Sequence, residues 1–262
     1  MNLCLENKLA LVTASSGGIG RAIAQSLAGE GARVIINGRT EKSVSAAISS
    51  IRKVHPEAWL EPLVADSSQL AGAETMIERF PETDILVNNL GIYEPVGFFE
   101  ETDESWRRIF EINILSGVRL ARHYLAKMLS RKTGRIIFIS SESAINPSPE
   151  MPHYGATKTM ELGISRNLAE LTRGTEVTVN AVMPGSTNSQ GVAQFVRKIY
   201  PDLPPEEAGR EFVRKNRPTS ILQRLLDPKE IADFVAFIVS PLASGINGAA
   251  LRVDGGIVRS VF

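Results

Sequence analysis

The 262-residue sequence predicts an α/β fold, a single domain built on a doubly wound parallel sheet. Three observations predict it. Short, near-continuous apolar runs, the form strands take when both faces are covered, alternate with segments of helical period. A glycine-rich turn, TASSGGIG at 13–20, follows the first run. Most polar clusters suited to chemistry fall just after strand ends or near helix starts, where doubly wound sheets bind their ligands.

Taken in order, LALVTA (9–14) is stopped by Ser-Ser-Gly-Gly and reads as the first strand. GIGRAIAQSLAG (18–29) sets Ile19, Ile23 and Leu27 four apart on one helix face, and Gly29 and Gly31 end it. ARVIIN (32–37) is the second strand; Thr40 then caps a helix to about Val54, which His55-Pro56 breaks. Residues 58–65 predict a third strand, 67–80 a helix, 83–89 a fourth strand and 103–130 one long helix. Strands at 134–140 and 176–183 bracket a helix at 153–173. A helix at 228–240 follows Asp227-Pro228, and AALRV (249–253) is the last strand. Residues 186–226 break the rhythm: long, mixed in charge, with Pro201, Pro204, Pro205 and Pro218. Segments of that kind are usually functional, and a partly helical lid over the active site is expected here.

Composition narrows the function classes. Lys plus Arg and Asp plus Glu are 29 each, so the basic excess of a nucleic-acid binder is missing. At 43% hydrophobic and 22% charged the chain matches folded proteins. One cysteine permits no internal disulfide, and no CxxC or HExxH spacing joins the three histidines, so no metal site is expected. The first residues lack the pattern of a signal peptide, no apolar run nears membrane length, and no lipidation motif is present. A soluble, cytoplasmic protein without membrane or nucleic-acid partners is the expectation.

Glycines 17, 18 and 20 let the backbone turn tightly, and the helix that follows offers free N–H groups to a pyrophosphate. After the second strand, Asn37-Gly38-Arg39-Thr40 lacks the acid that accepts from a ribose 2′-OH, and Arg39 suits a 2′-phosphate. NADP(H) is therefore expected, with NAD(H) as the alternative. Tyr154 and Lys158, spaced i, i+4 on a helix, share a face; an ammonium near the phenol favours its ionised form and makes an acid/base pair. Ser141 directly follows a strand and can hold a substrate oxygen. Asn89 and Gly91 close the fourth strand, Asn113 sits in FEINILSG, and Pro184-Gly185 precedes Ser186, Thr187, Asn188 and Ser189.

Jointly, in order and spacing, these motifs resemble the short-chain dehydrogenase/reductase family from about residue 7 to VDGG at 253–256. The resemblance implies a Rossmann-type fold with Tyr154 as catalytic acid/base. Lys158 would lower its pKa and bind the nicotinamide ribose, Ser141 would polarise the substrate carbonyl, and Asn113 would support a relay water. It also implies a cofactor contact surface comprising Thr13, Ser15, Ser16, Gly18, Ile19, Gly20, Asn37, Arg39, Thr40, Asp66, Asn89, Gly91, Tyr154, Lys158, Pro184, Gly185, Thr187 and Ser189. Within it, Asp66 would contact the adenine, and Thr187 and Ser189 the carboxamide. A homotetramer or homodimer is implied, with the 103–130 and 153–173 helices at one interface. The chain departs from the family pattern at Ala14 (first glycine), Gly17 (a basic residue in some NADP members), Leu90 (alanine, crowding the cofactor or reshaping the pocket) and Ser189 (threonine).

The expected reaction is hydride transfer between a nicotinamide and a small carbonyl or secondary alcohol, with 3-oxoacyl-carrier reduction as a specific form. A basic patch of Arg131, Lys132 and Arg173 bears on the latter. A dinucleotide-sensing regulator without activity is the alternative of another class, and the presence of Asn113, Ser141, Tyr154 and Lys158 together weighs against it. Glu142, His153, Phe195 and Tyr200 are expected to shape substrate choice.

Overall fold

The computed structural model describes residues 2–261. Seven parallel strands form one sheet in the order β3-β2-β1-β4-β5-β6-β7. They are β1 (Leu9–Val12), β2 (Arg33–Gly38), β3 (Leu60–Val64), β4 (Ile85–Asn88), β5 (Thr133–Ile139), β6 (Glu176–Pro184) and β7 (Ala250–Val253). The chain runs outward from β1 to β3, returns, and continues from β4 to β7, so the switch point lies between β1 and β4.

Alternate residues of each strand enter opposite cores. Ala10, Val12, Val34, Ile36, Ile85 and Val87 meet α1 (Gly18–Gly29), α2 (Glu41–Val54) and α9 (Pro228–Ile238). Leu11, Ile35, Leu86, Ile136 and Phe138 meet α3 (Leu70–Arg79), α5 (Ser116–Arg131) and α6 (Pro152–Glu170). This is the physical reason the inner strands read as continuous apolar runs: in β1, β2, β4, β5 and β6 neither face is left to water.

Helix boundaries follow local chemistry. The Thr40 hydroxyl accepts from Ser43 N–H and starts α2, which ends at Val54 as the His55-Pro56 pair requires. Asp227 and Glu230 form a capping box with Pro228 at the first helical position of α9. The long helix expected at 103–130 is interrupted: α4 (Asp103–Phe110) passes through a π-turn, Glu111–Leu115, before α5. There Ser116 N–H reaches back to Glu111 C=O. Widened turns of this kind often mark functional sites, and Asn113 sits at its centre.

The 186–226 segment contains α7 (Gln190–Ile199) and α8 (Pro205–Asn216). Its ends are stitched together: Leu226 N–H donates to Ser186 C=O at 2.9 Å, and Asn188 N–H to Leu226 C=O at 2.8 Å. The excursion is thus a closed-stem loop rather than a loose insertion.

Ala14, in the place of a glycine, has φ +52°. A left-handed conformation crowds a Cβ against the following carbonyl and costs roughly 1–2 kcal/mol. Ala14→Gly should therefore stabilise the fold by about 1 kcal/mol, read as a higher urea midpoint without dinucleotide. A lower midpoint would contradict this backbone assignment.

Candidate active site

At the carboxyl ends of β1, β4, β5 and β6 the loops part around a cleft of about 410 Å³. One end is the glycine turn. A Cβ on Gly20 would lie 2.4 Å from Asn89 Nδ2 and 2.8 Å from Ala14 O, so only glycine fits. A Cβ on Gly17 would meet nothing within 4 Å, so the turn faces open space on that side. The first turn of α1 carries no acid and points its N–H groups there. A pyrophosphate fits this cradle on steric and electrostatic grounds.

The cradle is braced by buried side chains. Thr13 Oγ1 accepts from Asn89 N–H (2.9 Å) and Leu90 N–H (3.0 Å). Asn37 takes Ala14 N–H at 2.9 Å and donates to the Leu63 and Ala65 carbonyls at 3.2 and 3.0 Å. Ser15 Oγ accepts from Asn37 N–H at 2.8 Å and donates to Val12 C=O at 2.7 Å. Asn89 Nδ2 donates to Thr13 C=O. These residues hold the loops of β1, β2 and β4 at fixed spacing.

Of the residues expected to contact cofactor, Gly18, Ile19, Gly20, Asn89, Gly91, Tyr154, Lys158, Pro184, Gly185, Thr187 and Ser189 line the cleft, as does Ser141. Thr13, Ser15 and Asn37 stand behind the wall as its scaffold. Ser16 packs against Gly38, placing exposed Arg39 and Thr40 beside the glycine turn. Arg39 has no side-chain hydrogen bond or ion pair among the described residues. Asp66 lies outside the wall and its carboxylate accepts from Ser68 N–H and Oγ at 3.1 and 2.7 Å. Leu90 points away from this cleft into a narrow crevice behind it, between Asn88, Asn113 and Glu161, so it does not crowd the cleft as expected.

Ser141, Tyr154 and Lys158 meet at the centre. Ser141 follows β5, and its Oγ donates to Glu142 Oε2 at 2.6 Å. Burial pushes the Tyr154 phenol well above its ordinary range; the Ser141 hydrogen bond opposes this, while Glu142, Glu161 and Tyr93 add to it. Lys158 Nζ lies 5.7 Å from the Tyr154 ring centroid. It donates to Ile139 C=O (2.9 Å) and to both Glu161 carboxylate oxygens (2.9 and 3.1 Å). This corrects one expectation: here the ammonium's charge is balanced by Glu161, and the phenol is raised rather than lowered. Burial likewise pushes Glu161 up to about 7, with Lys158 and Ser140 holding it down.

Asn113 is buried, and its side chain is fully committed. Nδ2 donates to Ile92 C=O and Thr157 Oγ1, both at 3.0 Å, and Oδ1 accepts from Ile92 N–H at 2.8 Å. It therefore clamps the loop after β4 to α6.

Several cleft residues carried no clear sequence signal. Arg217, from the 186–226 segment, reaches across to the β5 side. Its guanidinium donates to Glu142 Oε1 (3.1 Å), Ser148 Oγ (3.0 Å) and Glu150 Oε1 (2.9 Å). Phe195 and Phe212 pack edge to face at 6.0 Å, and Tyr93 meets Tyr154 edge-on at 6.2 Å. Of Arg217, Phe195, Phe212 and Tyr93, only Phe195 was expected from the sequence, and Glu161, three residues after Lys158, was not expected at all. His153 and Tyr200 lie outside the cleft. His153 is fully buried, with Nδ1 2.6 Å from Glu101 Oε1, and Tyr200 packs beneath Lys215. Among the described residues no group of three His, Cys, Asp or Glu side chains is gathered as for a metal, and no helix is long and apolar enough to cross a membrane.

A parallel sheet with a glycine cradle at its switch point and a Ser–Tyr–Lys cluster beside it defines a dinucleotide-dependent oxidoreductase scaffold. The family model described as short chain dehydrogenase matches residues 8–199, and the chain belongs to that family. It is 57% identical to an uncharacterised oxidoreductase, YvaG, of Bacillus subtilis (strain 168), over 100% of both chains. It is 34% identical to the 3-oxoacyl-[acyl-carrier-protein] reductase FabG of Escherichia coli (strain K12), covering 96% of this chain and 98% of the relative. Among solved structures, L-sorbose reductase from Gluconobacter frateurii, complexed with NADPH and L-sorbose, superposes with TM-score 0.90 at 28% identity over 100% of both chains.

Arg217→Ala should leave the buried Glu142 carboxylate without its cation and lower unfolding free energy by roughly 3 kcal/mol. Urea unfolding checks this; an unchanged midpoint would show that the pair adds nothing.

Proposed function

We propose that this chain is an NADP(H)-dependent oxidoreductase that interconverts a small carbonyl compound and its secondary alcohol. The observation that carries the reading is the convergence of Ser141, Tyr154 and Lys158 on a cleft whose other end is a phosphate cradle flanked by Arg39.

When bound, the nicotinamide dinucleotide supplies or accepts the hydride. Gly18, Ile19 and Gly20 would hold its pyrophosphate, Arg39 a 2′-phosphate, Asp66 its adenine, Lys158 the nicotinamide ribose, and Thr187 and Ser189 the carboxamide. Ser141 Oγ holds the substrate oxygen. Tyr154 gives that oxygen its proton in reduction and removes it in oxidation. The phenol is protonated at neutral pH, the form that reduction requires. Asn113 keeps the loop carrying Gly91 and Ile92 against α6, and the wide turn around it is where a relay water would be held.

The α7–α8 excursion closes one wall of the cleft and acts as its lid. Its Arg217, with Glu142 and Glu150, makes a polar end, while Phe195, Phe212 and Tyr93 make an apolar side. That lining favours a small, hydroxylated ketone. Reduction of a carrier-bound acyl chain is less well supported: Arg131 pairs with Glu82 and Arg173 with Glu170, so two cations of the basic patch are already neutralised. Exposed Trp106, Phe110 and Met160 on α4 and α6 support assembly as a homodimer or homotetramer, and one exposed free cysteine suits a reducing cytoplasm.

NADPH oxidation against sugars, small ketones, steroids and acyl thioesters tests the reading directly; turnover of none of them would sink it. Tyr154→Phe should lower turnover at least ~100-fold while NADPH still binds. Arg39→Asp should reduce preference for NADPH over NADH at least ~10-fold in fluorescence titrations, since it replaces a cation by an acid at the 2′ position. Equal wild-type affinity for both dinucleotides would refute the assignment of Arg39.

A further inference from the structure

We propose that Glu161 is a positioning residue of the active site: it clamps Lys158 and balances its charge, so that Tyr154 serves chiefly as an acid and the enzyme favours carbonyl reduction. The inference rests on the role given to Tyr154 above.

The geometry is specific. Both Glu161 oxygens take hydrogen bonds from the one ammonium, and the two side chains are 5% and 4% exposed. Ile139 C=O takes a further hydrogen bond from the same ammonium. The ammonium lies over the Tyr154 ring, 5.7 Å from its centroid, while its hydrogen bonds run to β5 and to Glu161. The Glu161 carboxylate acts on the phenol in the opposite sense to the ammonium and offsets its pull toward phenolate.

No other cation near the carboxylate competes for it. On α6 the titratable groups facing it are Lys158 and Tyr154. On the β5 side the hydroxyl of Ser140 faces it, and beyond Ser141 the carboxylate of Glu142 acts on the phenol in the same sense. Across the crevice behind it, the β1, β4 and α5 sides offer Thr13, Asn88, Asn113 and Ser116, none of which titrates. Asn88 Nδ2 and Oδ1 have no partner there, so no rival charge is being satisfied on that side.

The charge on Glu161 thus sets the working form of Tyr154. With Glu161 ionised the Lys158 pair is neutral and the phenol keeps its proton. With Glu161 neutral the ammonium acts alone and phenolate becomes accessible, the form alcohol oxidation requires. Glu161→Gln removes the charge while keeping the shape and one accepting oxygen.

The test needs no substrate. Ultraviolet phenolate absorbance is titrated for the wild type and for Glu161→Gln, each minus its Tyr154→Phe counterpart to isolate one phenol. The isolated titration should move down by at least about one pH unit in Glu161→Gln. Glu161→Met, neutral but unable to accept a hydrogen bond, should move it in the same direction. NADPH fluorescence titration of each variant confirms a folded cleft. A titration unmoved in both folded variants overturns the proposal, because a merely structural Glu161 would change stability without changing this phenol. The outcome is separable from the reading beneath it: turnover surviving Tyr154→Phe defeats that reading, whereas an inactive Tyr154→Phe with unmoved titrations defeats the role of Glu161 alone.

Discussion

Everything in this site depends on how polar groups are satisfied at the carboxyl ends of β1, β2 and β4. Strands in a doubly covered sheet end in buried backbone, and a buried donor or acceptor without a partner costs about 1–3 kcal/mol. Thr13, Ser15, Asn37 and Asn89 meet that demand with side-chain hydrogen bonds to neighbouring loops. The bonds fix the separation of the loops, and the cleft between them is the space that remains. Rigid bracing of this kind lets a glycine turn present its N–H groups without collapsing onto Asn89.

The same economy shapes the charges. Two buried carboxylates flank the site, each tied to a cation: Glu142, in the cleft wall, to Arg217 of the 186–226 segment, and Glu161, in the crevice behind, to Lys158 of its own helix. Charges buried this deeply persist only when paired. The first pairing ties the 186–226 segment to the residue beside Ser141. The second couples the lysine to the sheet. Between them lies Tyr154, whose proton is governed by both.

Much of this was legible beforehand. The alternation of apolar runs and helical periods marks every strand, Thr40 and His55-Pro56 delimit α2, and Asp227-Pro228 opens α9, because each signal is local chemistry acting within a few residues. The Ser141–Tyr154–Lys158 cluster and much of the cleft wall follow from motifs placed at strand ends and near helix starts. The π-turn at Glu111–Leu115 was not legible, since its residues continue the helical apolar pattern and only packing against α6 and the Ile92 loop widens the backbone there. Arg217 was hidden for a related reason: it lies 75 residues from Glu142, and nothing in a mixed-charge segment marks which of its arginines turns inward.

By itself, then, the amino-acid order determined the layered sheet, the glycine turn after its first strand and the placing of Ser141, Tyr154 and Lys158 at strand end and helix, since periodicity, capping and turn chemistry act over short distances. Tertiary structure decided the electrostatics: which acid faces which base, that Lys158 is balanced, that His153 and Leu90 turn away from the cleft, and that a distant arginine closes it. Those outcomes come from burial and long-range proximity, which exist only once the chain has folded.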